Sequence, residues 1–339
     1  MRLNLERILD IGKIKKNFKN FSSKKILLIG DIILDHYIFG DVKRISPEAP
    51  VPVVEVKNEM FSLGGAGNTS VNIKDMGGDI FLISSTGKDE NSKILENLLS
   101  DKKIEFFLLE RDVPTIVKTR IIAKNQQIVR IDREKIEELS KKEEEEIKKI
   151  ILKKIDQIEI IVVSDYGKGL ITKNIIEFLK KFKKRIIVDP KPEHFKFYKD
   201  IFCITPNKNE AILGIGKINV KDFKGIIETG IEILNFLKSK NLIITLGKDG
   251  MIVFKNKSEI YHIPSIAKEV YDVTGAGDTI CAIFSLYLCV SNDVLESAIV
   301  SNFAAGIVVG KIGTATTNQK EFINFFKNNY KNFFVEKIK

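Results

Sequence analysis

The stretch Asp272-Val273-Thr274-Gly275-Ala276-Gly277-Asp278-Thr279 stands directly before an apolar, helix-length run at residues 280–290. A glycine-rich turn before a helix favours anion binding, because the first N–H groups of a helix have no partner within it and small residues allow close approach. Residues 275–277 would form that cradle. A carboxylate there repels phosphate unless it takes a proton from an attacking hydroxyl. Asp278 is therefore either a general base or a plain helix cap, and this stretch alone leaves both interpretations open.

Working outward from this stretch, strand-length apolar runs alternate with helix-length segments. The predicted strands are residues 26–29, 80–84, 160–163, 186–188 and 242–245, and the predicted helices are 64–77, 89–102, 140–156, 173–182 and 220–238. Such alternation predicts a mostly parallel sheet covered by helices on both faces, a three-layer αβα sandwich. Helical segments across residues 276–326 are expected to close the fold.

Two segments, about 35–57 and 115–133, have strand-like alternation but no helix between their strands. They therefore fall outside the βαβ repeat. The proline-rich part of the first segment, residues 47–52, fits an extended edge segment, because proline cannot donate to a central ladder. A surface loop is the alternative for that part.

Three further motifs accompany the glycine-rich turn in chain order. They are Gly30-Asp31, Gly64-Gly65-Ala66-Gly67-Asn68 and Asn207-Lys208-Asn209-Glu210. Together the motifs resemble the ribokinase-like (PfkB-type) sugar kinases over residues 25–318. This resemblance implies a ribokinase-like α/β fold in which the two extra segments form a small β-sheet lid over the sugar and pair two subunits into a homodimer. It implies a kinase domain at residues 25–330, after an N-terminal helical extension at 1–24.

Within that family the sequence is most similar to the D-glycero-β-D-manno-heptose-7-phosphate kinases. The similarity rests on Gly30-Asp31 with Asp35, on Arg44-Ile45-Ser46-Pro47-Glu48-Ala49-Pro50-Val51-Pro52-Val53, on Lys124-Asn125-Gln126-Gln127 with Arg130 and Asp132, and on Ser164-Asp165-Tyr166-Gly167-Lys168-Gly169. It implies ATP-dependent phosphorylation of the anomeric hydroxyl to the 1,7-bisphosphate, for ADP-heptose and lipopolysaccharide core synthesis. Some such kinases are fused to an adenylyltransferase with a His-x-Gly-His type motif. This sequence has no such motif, so we expect the kinase activity alone.

The resemblance also implies roles for individual residues. Asp278 would take the proton from the sugar hydroxyl, while the N–H groups of residues 275–278 stabilise the moving phosphoryl group. The sequence has no P-loop motif. The residues expected to hold the sugar are Asp31, Asp35, Gly64, Gly65, Asn68 and Gln127. The cations expected to include a ligand for its phosphate are Arg120, Arg130, Lys168 and Lys191, although each alone is more often a solvated surface charge.

The nucleotide side is assigned by the same resemblance. Asn207 and Glu210 match an Asn-x-x-Glu motif that orients the magnesium–phosphate assembly through water, since Mg²⁺ usually retains several waters. The residues expected to contact ATP are Asn207, Glu210, Thr245, Gly247, Gly250, Asn302 and Ala305. Ordinary core packing would equally explain the apolar helix that carries the last two. Asp272 and Thr274 resemble the potassium site of several family members.

Composition limits the remaining possibilities. A chain of 339 residues with 44% hydrophobic content suits one large α/β domain. The net charge of +10 raises a nucleic-acid interpretation, but the lysines are spread along the chain without an aromatic-interleaved basic stripe, so we expect no nucleic-acid partner. No apolar run reaches the length of a membrane span. The scattered Cys203, Cys281 and Cys289 indicate reduced thiols, and we expect a cytoplasmic protein without a membrane partner.

Two other functions stay open at this point. One is another kinase of the same fold that acts on ribose, fructose 1-phosphate or a nucleoside, against which residues 44–53 and 124–132 argue. The other is a sugar-binding sensor without catalysis. A sensor would be expected to lose Asp278 or the glycines before it, and all of them are present.

Overall fold

Strands and helices alternate through the chain in this computed structural model, which describes residues 1–124, 126–218, 220, 222–267, 270–311, 313–331 and 333–339. The strands are β1 (Arg2–Asn4), β2 (Lys25–Gly30), β3 (Ile32–Ile45), β4 (Pro52–Gly65), β5 (Asp79–Gly87), β6 (Glu105–Arg111), β7 (Val117–Ala123), β8 (Gln126–Arg133), β9 (Ile158–Ser164), β10 (Arg185–Asp189), β11 (Cys203–Ile204), β12 (Asn241–Thr245), β13 (Met251–Phe254), β14 (Ile260–Ile263) and β15 (Phe334–Lys337). The α-helices are α1 (Ile11–Phe18), α2 (Ala66–Asp75), α3 (Glu90–Asp101), α4 (Lys141–Lys154), α5 (Lys173–Lys180), α6 (Lys208–Gly214), α7 (Phe223–Leu237), α8 (Ala276–Ser291), α9 (Val294–Val308) and α10 (Gln319–Asn329).

The main sheet has the strand order β1-β15-β14-β13-β12-β11-β10-β9-β2-β5-β6. The strands from β12 to β6 run parallel, and the other four are antiparallel to their neighbours. One face packs against α1, α2, α3, α8, α9 and α10, and the other against α4, α5, α6 and α7. This arrangement confirms the predicted αβα sandwich.

Parallel strands bring their carboxyl ends to one edge of the sheet, where α/β proteins bind ligands. Gly30 at the end of β2 lies opposite Ser164 at the end of β9, and Asp189 ends the next strand in register with Ser164. The residues that follow β2 and β9 therefore meet above the centre of the sheet. No helix in the described part of the chain is both long and apolar enough to cross a bilayer.

A second sheet of four strands, in the order β4-β3-β7-β8, forms the predicted lid. Its strands β3 and β4 are longer than predicted and run back to the body of the protein. The proline-rich residues 47–52 are mostly the bend between them rather than an edge segment, so the loop alternative is the correct one there. Asn125, part of the motif on which the similarity to the heptose-phosphate kinases rests, lies outside the described residues.

The lid sheet has two chemically different faces. Register places Ser62, Asp35, Lys118 and Asp132 in one row across the four strands, and we call the side that carries this row the inner face. Ser62 Oγ contacts Thr314 Oγ1 of the body at 3.0 Å. The alternate residues form the outer face, which includes Ile131 at 53% exposure.

The two ends of the chain join the same sheet. β1 pairs with β15, and Leu5 and Val335 are fully buried in the core. Residues 1–24 thus contain a strand as well as the expected helix, and a boundary at residue 330 would leave out β15. Strands of three or four residues are too short for a clear alternating pattern, which explains why the sequence interpretation missed them.

Candidate active site

The glycine-rich turn leads directly into α8, as the sequence predicts. Gly275 is the N-cap residue in the left-handed region at φ +80°, and a Cβ there would lie 2.5 Å from Asn68 Nδ2, so only glycine fits. A Cβ on Gly277 would meet no atom within 4 Å, so this residue faces open space. The first-turn amides of Gly277 and Asp278 are therefore available to an anion placed there.

Asp278 is a buried carboxylate with three side-chain hydrogen-bond donors. Tyr166 and Thr69 donate their hydroxyls to Oδ1 at 2.7 and 3.3 Å, and Asn68 donates Nδ2 to Oδ2 at 2.7 Å. Burial raises the pKa of Asp278 to about 6, and the three hydrogen bonds limit that rise. The group is thus ionised at neutral pH, and Oδ2 keeps a lone pair for one further donor. Such a carboxylate suits proton acceptance.

Tyr166 is a site residue that the sequence interpretation missed, although its motif was part of the family resemblance. Asp31 explains its position, because the Asp31 carboxylate accepts the backbone N–H groups of Tyr166, Lys168 and Leu170 at 2.9 to 3.2 Å. Burial, and then the charge of Asp165, raise the pKa of Asp31 to about 6. Both Asp31 oxygens are engaged by the main chain, so its contact with a sugar stays a prediction.

Asp35 lies on the inner face of the lid sheet, near the start of β3. Its carboxylate forms an ion pair with Arg120 Nη1, and burial raises its pKa although the Arg120 charge opposes the rise. A Cβ on Gly64 would lie 2.3 Å from Asp35 Oδ2, and one on Gly65, at φ +58°, would lie 2.5 Å from the Asp31 carbonyl oxygen. These two glycines are therefore required by the close approach of both aspartates.

The four cations predicted to include a phosphate ligand are in different surroundings. Arg120 is paired with Asp35, Arg130 with Asp132 and Lys168 with Glu134. Lys191 instead lines a cavity of about 160 Å³ with Asp189, Asn207, Glu210, Gly277 and Asp278. The structure therefore brings Lys191 to the helix N-terminus and the Asn-x-x-Glu motif. Gln127 is exposed on β8.

Asn207 and Glu210 cap the start of α6. Asn207 Oδ1 accepts the Glu210 N–H at 3.0 Å, and Glu210 Oε2 accepts the Asn207 N–H at 2.9 Å. Burial raises the pKa of Glu210, while these hydrogen bonds and the charge of Lys191 oppose the rise. Their amide and carboxylate oxygens, with Asp189 in the same cavity, are the oxygen donors that Mg²⁺ prefers. Within the described residues no group of three or more His, Cys, Asp or Glu side chains could hold a metal ion, and magnesium binding through water stays a prediction.

A larger cavity of about 420 Å³ adjoins the small one at Gly277. Its lining includes the predicted ATP contacts Thr245, Gly247, Gly250, Asn302 and Ala305. Asn302 Nδ2 donates to the Pro264 carbonyl at 2.9 Å. The structure thus gathers predicted ATP contacts from two distant stretches of the sequence, 245–250 and 302–305, around one space next to the α8 N-terminus.

The potassium prediction falls on a tightly held turn. Asp272 Oδ1 accepts the Thr274 N–H at 2.9 Å, and Oδ2 accepts the Gly313 N–H at 3.0 Å. Burial favours the neutral form, but these hydrogen bonds outweigh it and hold the pKa of Asp272 below its usual value. The carboxylate is therefore ionised, as a cation site requires, and potassium binding stays a prediction.

A buried carboxylate at the glycine-rich start of a helix, next to a nucleotide-sized cavity, is typical of a phosphotransferase that acts on a hydroxyl group. Residues 23–321 match the pfkB family of carbohydrate kinases, and the chain belongs to that family.

Curated relatives carry the comparison further. The chain is 40% identical over 298 residues to the bifunctional protein HldE of a Nitratiruptor species, covering 88% of this chain and 64% of that protein. It is 37% identical over 308 residues to the bifunctional protein HldE of Haemophilus influenzae, covering 90% of this chain and 64% of that protein. The chain thus spans less than two thirds of these relatives.

Solved structures agree on the fold. Phosphofructokinase-2 from Escherichia coli superposes with a TM-score of 0.75 at 18% identity, over 90% of this chain and 99% of that one. Ribokinase from Giardia lamblia superposes with a TM-score of 0.72 at 18% identity, over 91% of this chain and 99% of that one. These similarities confirm the ribokinase-like architecture.

Proposed function

We propose that this protein transfers the γ-phosphoryl group of ATP to the anomeric hydroxyl of D-glycero-β-D-manno-heptose 7-phosphate. The product, the 1,7-bisphosphate, would serve ADP-heptose and lipopolysaccharide core synthesis. The observation that carries the phosphotransfer is Asp278, a hydrogen-bonded buried carboxylate that lines the smaller cavity next to Gly277, which lines both cavities. The choice of heptose is supported by the lid and loop motifs of the sequence and by similarity to HldE over about nine tenths of the chain.

The proposed mechanism uses Asp278 as the general base. Oδ2 takes the proton of the anomeric hydroxyl as that oxygen forms its bond to the γ-phosphorus and the bond to the β-bridging oxygen breaks. The first-turn amides of Gly277 and Asp278 donate to the oxygens of the moving phosphoryl group. Asn207 and Glu210 would hold magnesium through water. Magnesium, when bound, neutralises charge on the phosphate oxygens.

The lid supports a homodimer as part of this proposal. Val129 and Ile131 on its outer face are 44% and 53% exposed, and a small sheet with an exposed apolar face is stabilised by pairing with a second copy. The free, buried Cys203, Cys281 and Cys289 fit a reducing compartment, and we place the protein in the cytoplasm. Asp272 would contribute to a potassium site. Phosphofructokinase-2 from Escherichia coli has been solved with potassium.

A coupled assay for ADP release tests the acceptor. Heptose 7-phosphate, free heptose, ribose, fructose 1-phosphate and a nucleoside are compared at saturating ATP. We expect the highest kcat/KM for heptose 7-phosphate, because a site built for a charged group leaves its cations unpaired when that group is missing. Equal kcat/KM for phosphorylated and free heptose would overturn the heptose-phosphate assignment while leaving the family unchanged.

A further inference from the structure

We propose that His194 is a positioning residue whose charged imidazole holds the loop after β9 in place, so that Tyr166 reaches Asp278. The inference rests on the proposed function, because it concerns the general base of that reaction. Neither the sequence motifs nor the comparisons assign a role to His194. It acts through Asp165 and Tyr166 rather than on the substrates.

Two buried carboxylates share the backbone N–H groups of the loop after β9. Asp31 accepts three of these groups, including that of Tyr166, and Asp165 Oδ1 accepts that of Gly167 at 2.8 Å. Asp31 and Asp165 are each only 3% exposed. After burial, the charge of Asp165 is the next cause of the raised pKa of Asp31, so the two negative charges repel each other. Such a pair of buried anions requires a compensating positive charge.

His194 supplies that charge from the short helix Pro192–Phe197 after β10. Its Nδ1 donates to Asp165 Oδ2 at 2.8 Å, and its ring stacks on the Phe197 ring with 4.9 Å between the centroids. The Asp165 side chain is fully buried, so water screens this pair little. The hydrogen bond to Asp165 raises the pKa of His194 above its usual 6.5, although burial opposes the rise. The imidazole is therefore charged at pH 6, where Asp278 titrates.

The other groups around His194 leave it as the one charge that can act on Asp165. The negative charges of Asp31 and Glu193 also raise the pKa of His194. Tyr198 donates its hydroxyl to the same Asp165 oxygen, but burial raises its pKa well above 10 and it stays neutral. Among the residues that the structure describes, His194 is the only cation paired with Asp165. A cavity of about 590 Å³ beside His194 is lined by further charged side chains, namely Lys168, Lys191, Glu193 and Glu210.

The loop that is held in this way carries Tyr166 to the base. The Tyr166 hydroxyl donates to Asp278 Oδ1 at 2.7 Å, and the next carboxylate along the chain is Asp165. Without the imidazolium, Asp31 and Asp165 lower the cost of their burial by taking up a proton or by moving toward water. Either change weakens their hydrogen bonds to the loop, because a neutral or displaced carboxyl group is a poorer acceptor. The charge of His194 thus maintains the hydrogen bond that limits the pKa of Asp278.

The test is a double-mutant cycle on the acid limb of the kcat/KM profile, measured with heptose 7-phosphate from pH 5 to 9 at saturating ATP. His194→Asn keeps a neutral donor near the position of Nδ1 and removes the charge. We expect it to move the limb to higher pH by up to about one unit, as Tyr166→Phe should, because both weaken the same hydrogen bond to Asp278. The double variant should move the limb no further than Tyr166→Phe alone. A merely structural role would lower kcat without moving the limb.

The matched control is His262→Asn, the same substitution on β14, which three strands of the main sheet separate from β10. His262 Nε2 contacts the Asp249 carbonyl at 2.8 Å, and its loss should leave the acid limb unmoved. Histidine NMR checks the charge directly, since the chain has three histidines and the His194 signal is the one lost in His194→Asn. Its titration should give a pKa above 6.5. An imidazole that is already neutral at pH 6 would overturn the proposal.

The outcomes separate this proposal from the proposed function. Near-normal turnover in Asp278→Asn would overturn the general base and the role of His194 with it. With Asp278 confirmed as the base, an unmoved limb in His194→Asn, or a shift that adds to that of Tyr166→Phe, would overturn the role of His194 alone. Thermal melting identifies loss of fold. If His194→Asn melts early, the NMR titration of the wild type decides, with the other two signals assigned by their loss in His36→Asn and His262→Asn.

Discussion

The Tyr166 hydroxyl donates a 2.7 Å hydrogen bond to Oδ1 of Asp278. Tyr166 is itself placed by Asp31, which accepts its backbone N–H at 2.9 Å. A hydrogen bond to the ionised form of a carboxylic acid lowers its pKa, so this contact opposes the rise that burial causes. The loop after β9 thus adjusts the basicity of a carboxylate more than a hundred residues away in the sequence.

Changing Tyr166 to Phe removes this donor and leaves the ring. The pKa of Asp278 should rise above its value of about 6, by up to about one unit. Because only the ionised carboxylate accepts a proton, the acid limb of the kcat/KM profile should move to higher pH by the same amount. A profile of kcat/KM from pH 5 to 9 measures the shift.

The matched control is Tyr198→Phe. Tyr198 donates to Asp165, so this variant removes a buried hydroxyl from the neighbouring carboxylate. Its acid limb should stay where it is in the wild type. An unshifted limb in Tyr166→Phe would mean that the tyrosine does not act on the base.

Changing Asp278 to Asn removes proton acceptance with little change in size. We expect kcat to fall by roughly 10²–10⁴-fold, the usual effect of losing a general base, with nucleotide binding retained. The measurements are kcat and a direct titration of ATP. Near-normal turnover in a folded Asp278→Asn protein would identify the carboxylate as a helix cap only.

The same variant has a predicted effect on stability. Burial raises the pKa of Asp278 from 3.8 to about 6, so ionisation above that pH costs the folded state free energy. The wild type should therefore become less stable as pH rises between about 4 and 6, whereas the stability of Asp278→Asn should lack this pH dependence. The Tm difference, variant minus wild type, should therefore increase from pH 4 to pH 7. A constant difference would contradict the raised pKa.

Gly277 offers a steric test of the phosphoryl site. Because a Cβ there meets no protein atom within 4 Å, larger side chains can be added without disturbing the fold. They would instead fill the space where the two cavities meet. Gly277→Ala and then Gly277→Val should progressively raise the KM for ATP and lower kcat, at a nearly constant Tm. An unchanged KM for ATP and an unchanged kcat in Gly277→Val would mean that the phosphates of ATP bind elsewhere.

Lys191 should act on phosphoryl transfer rather than on the sugar phosphate. Lys191→Met is expected to lower kcat by about 10- to 100-fold, since it removes a cation from the cavity where charge moves. The ratio of kcat/KM for heptose 7-phosphate to kcat/KM for free heptose should be retained. The control is Lys196→Met, which changes a nearby lysine whose Nζ lies over the Phe197 ring. A loss of discrimination in Lys191→Met would mean that Lys191 binds the sugar phosphate instead.

The outer face of the lid predicts an interface. Ile131→Asp places a charge on a residue with 53% exposure and should convert a dimer to a monomer in light scattering at micromolar concentration. Ile218→Asp changes an isoleucine that is 82% exposed in a loop and should leave the mass unchanged. If the wild type is a monomer with full activity, the proposal that two subunits pair through the lid is wrong.

Local patterns in the sequence were sufficient to predict the features that depend on residues adjacent in the chain. The turn before α8 was predicted because glycines and an apolar run are adjacent in the sequence. The contact of Tyr166 with Asp278 joins residues 112 positions apart, and no spacing rule encodes it. The same reason explains Lys191. The family resemblance placed it among the candidates for the sugar phosphate, whereas the structure places it in one cavity with Asn207 and Glu210.

The two faces of the lid differ by a single step along each strand. Lys118 and Thr119 are neighbours in the chain, yet one belongs to the inner face and the other to the row of Ile131 on the outer face. Inserting one residue early in β7 would move every later side chain of the strand to the opposite face, so that cations would leave the inner face and apolar groups would enter it. We therefore expect β7 to tolerate substitutions far better than insertions or deletions of one residue, so that the length of this strand is constrained as well as its sequence.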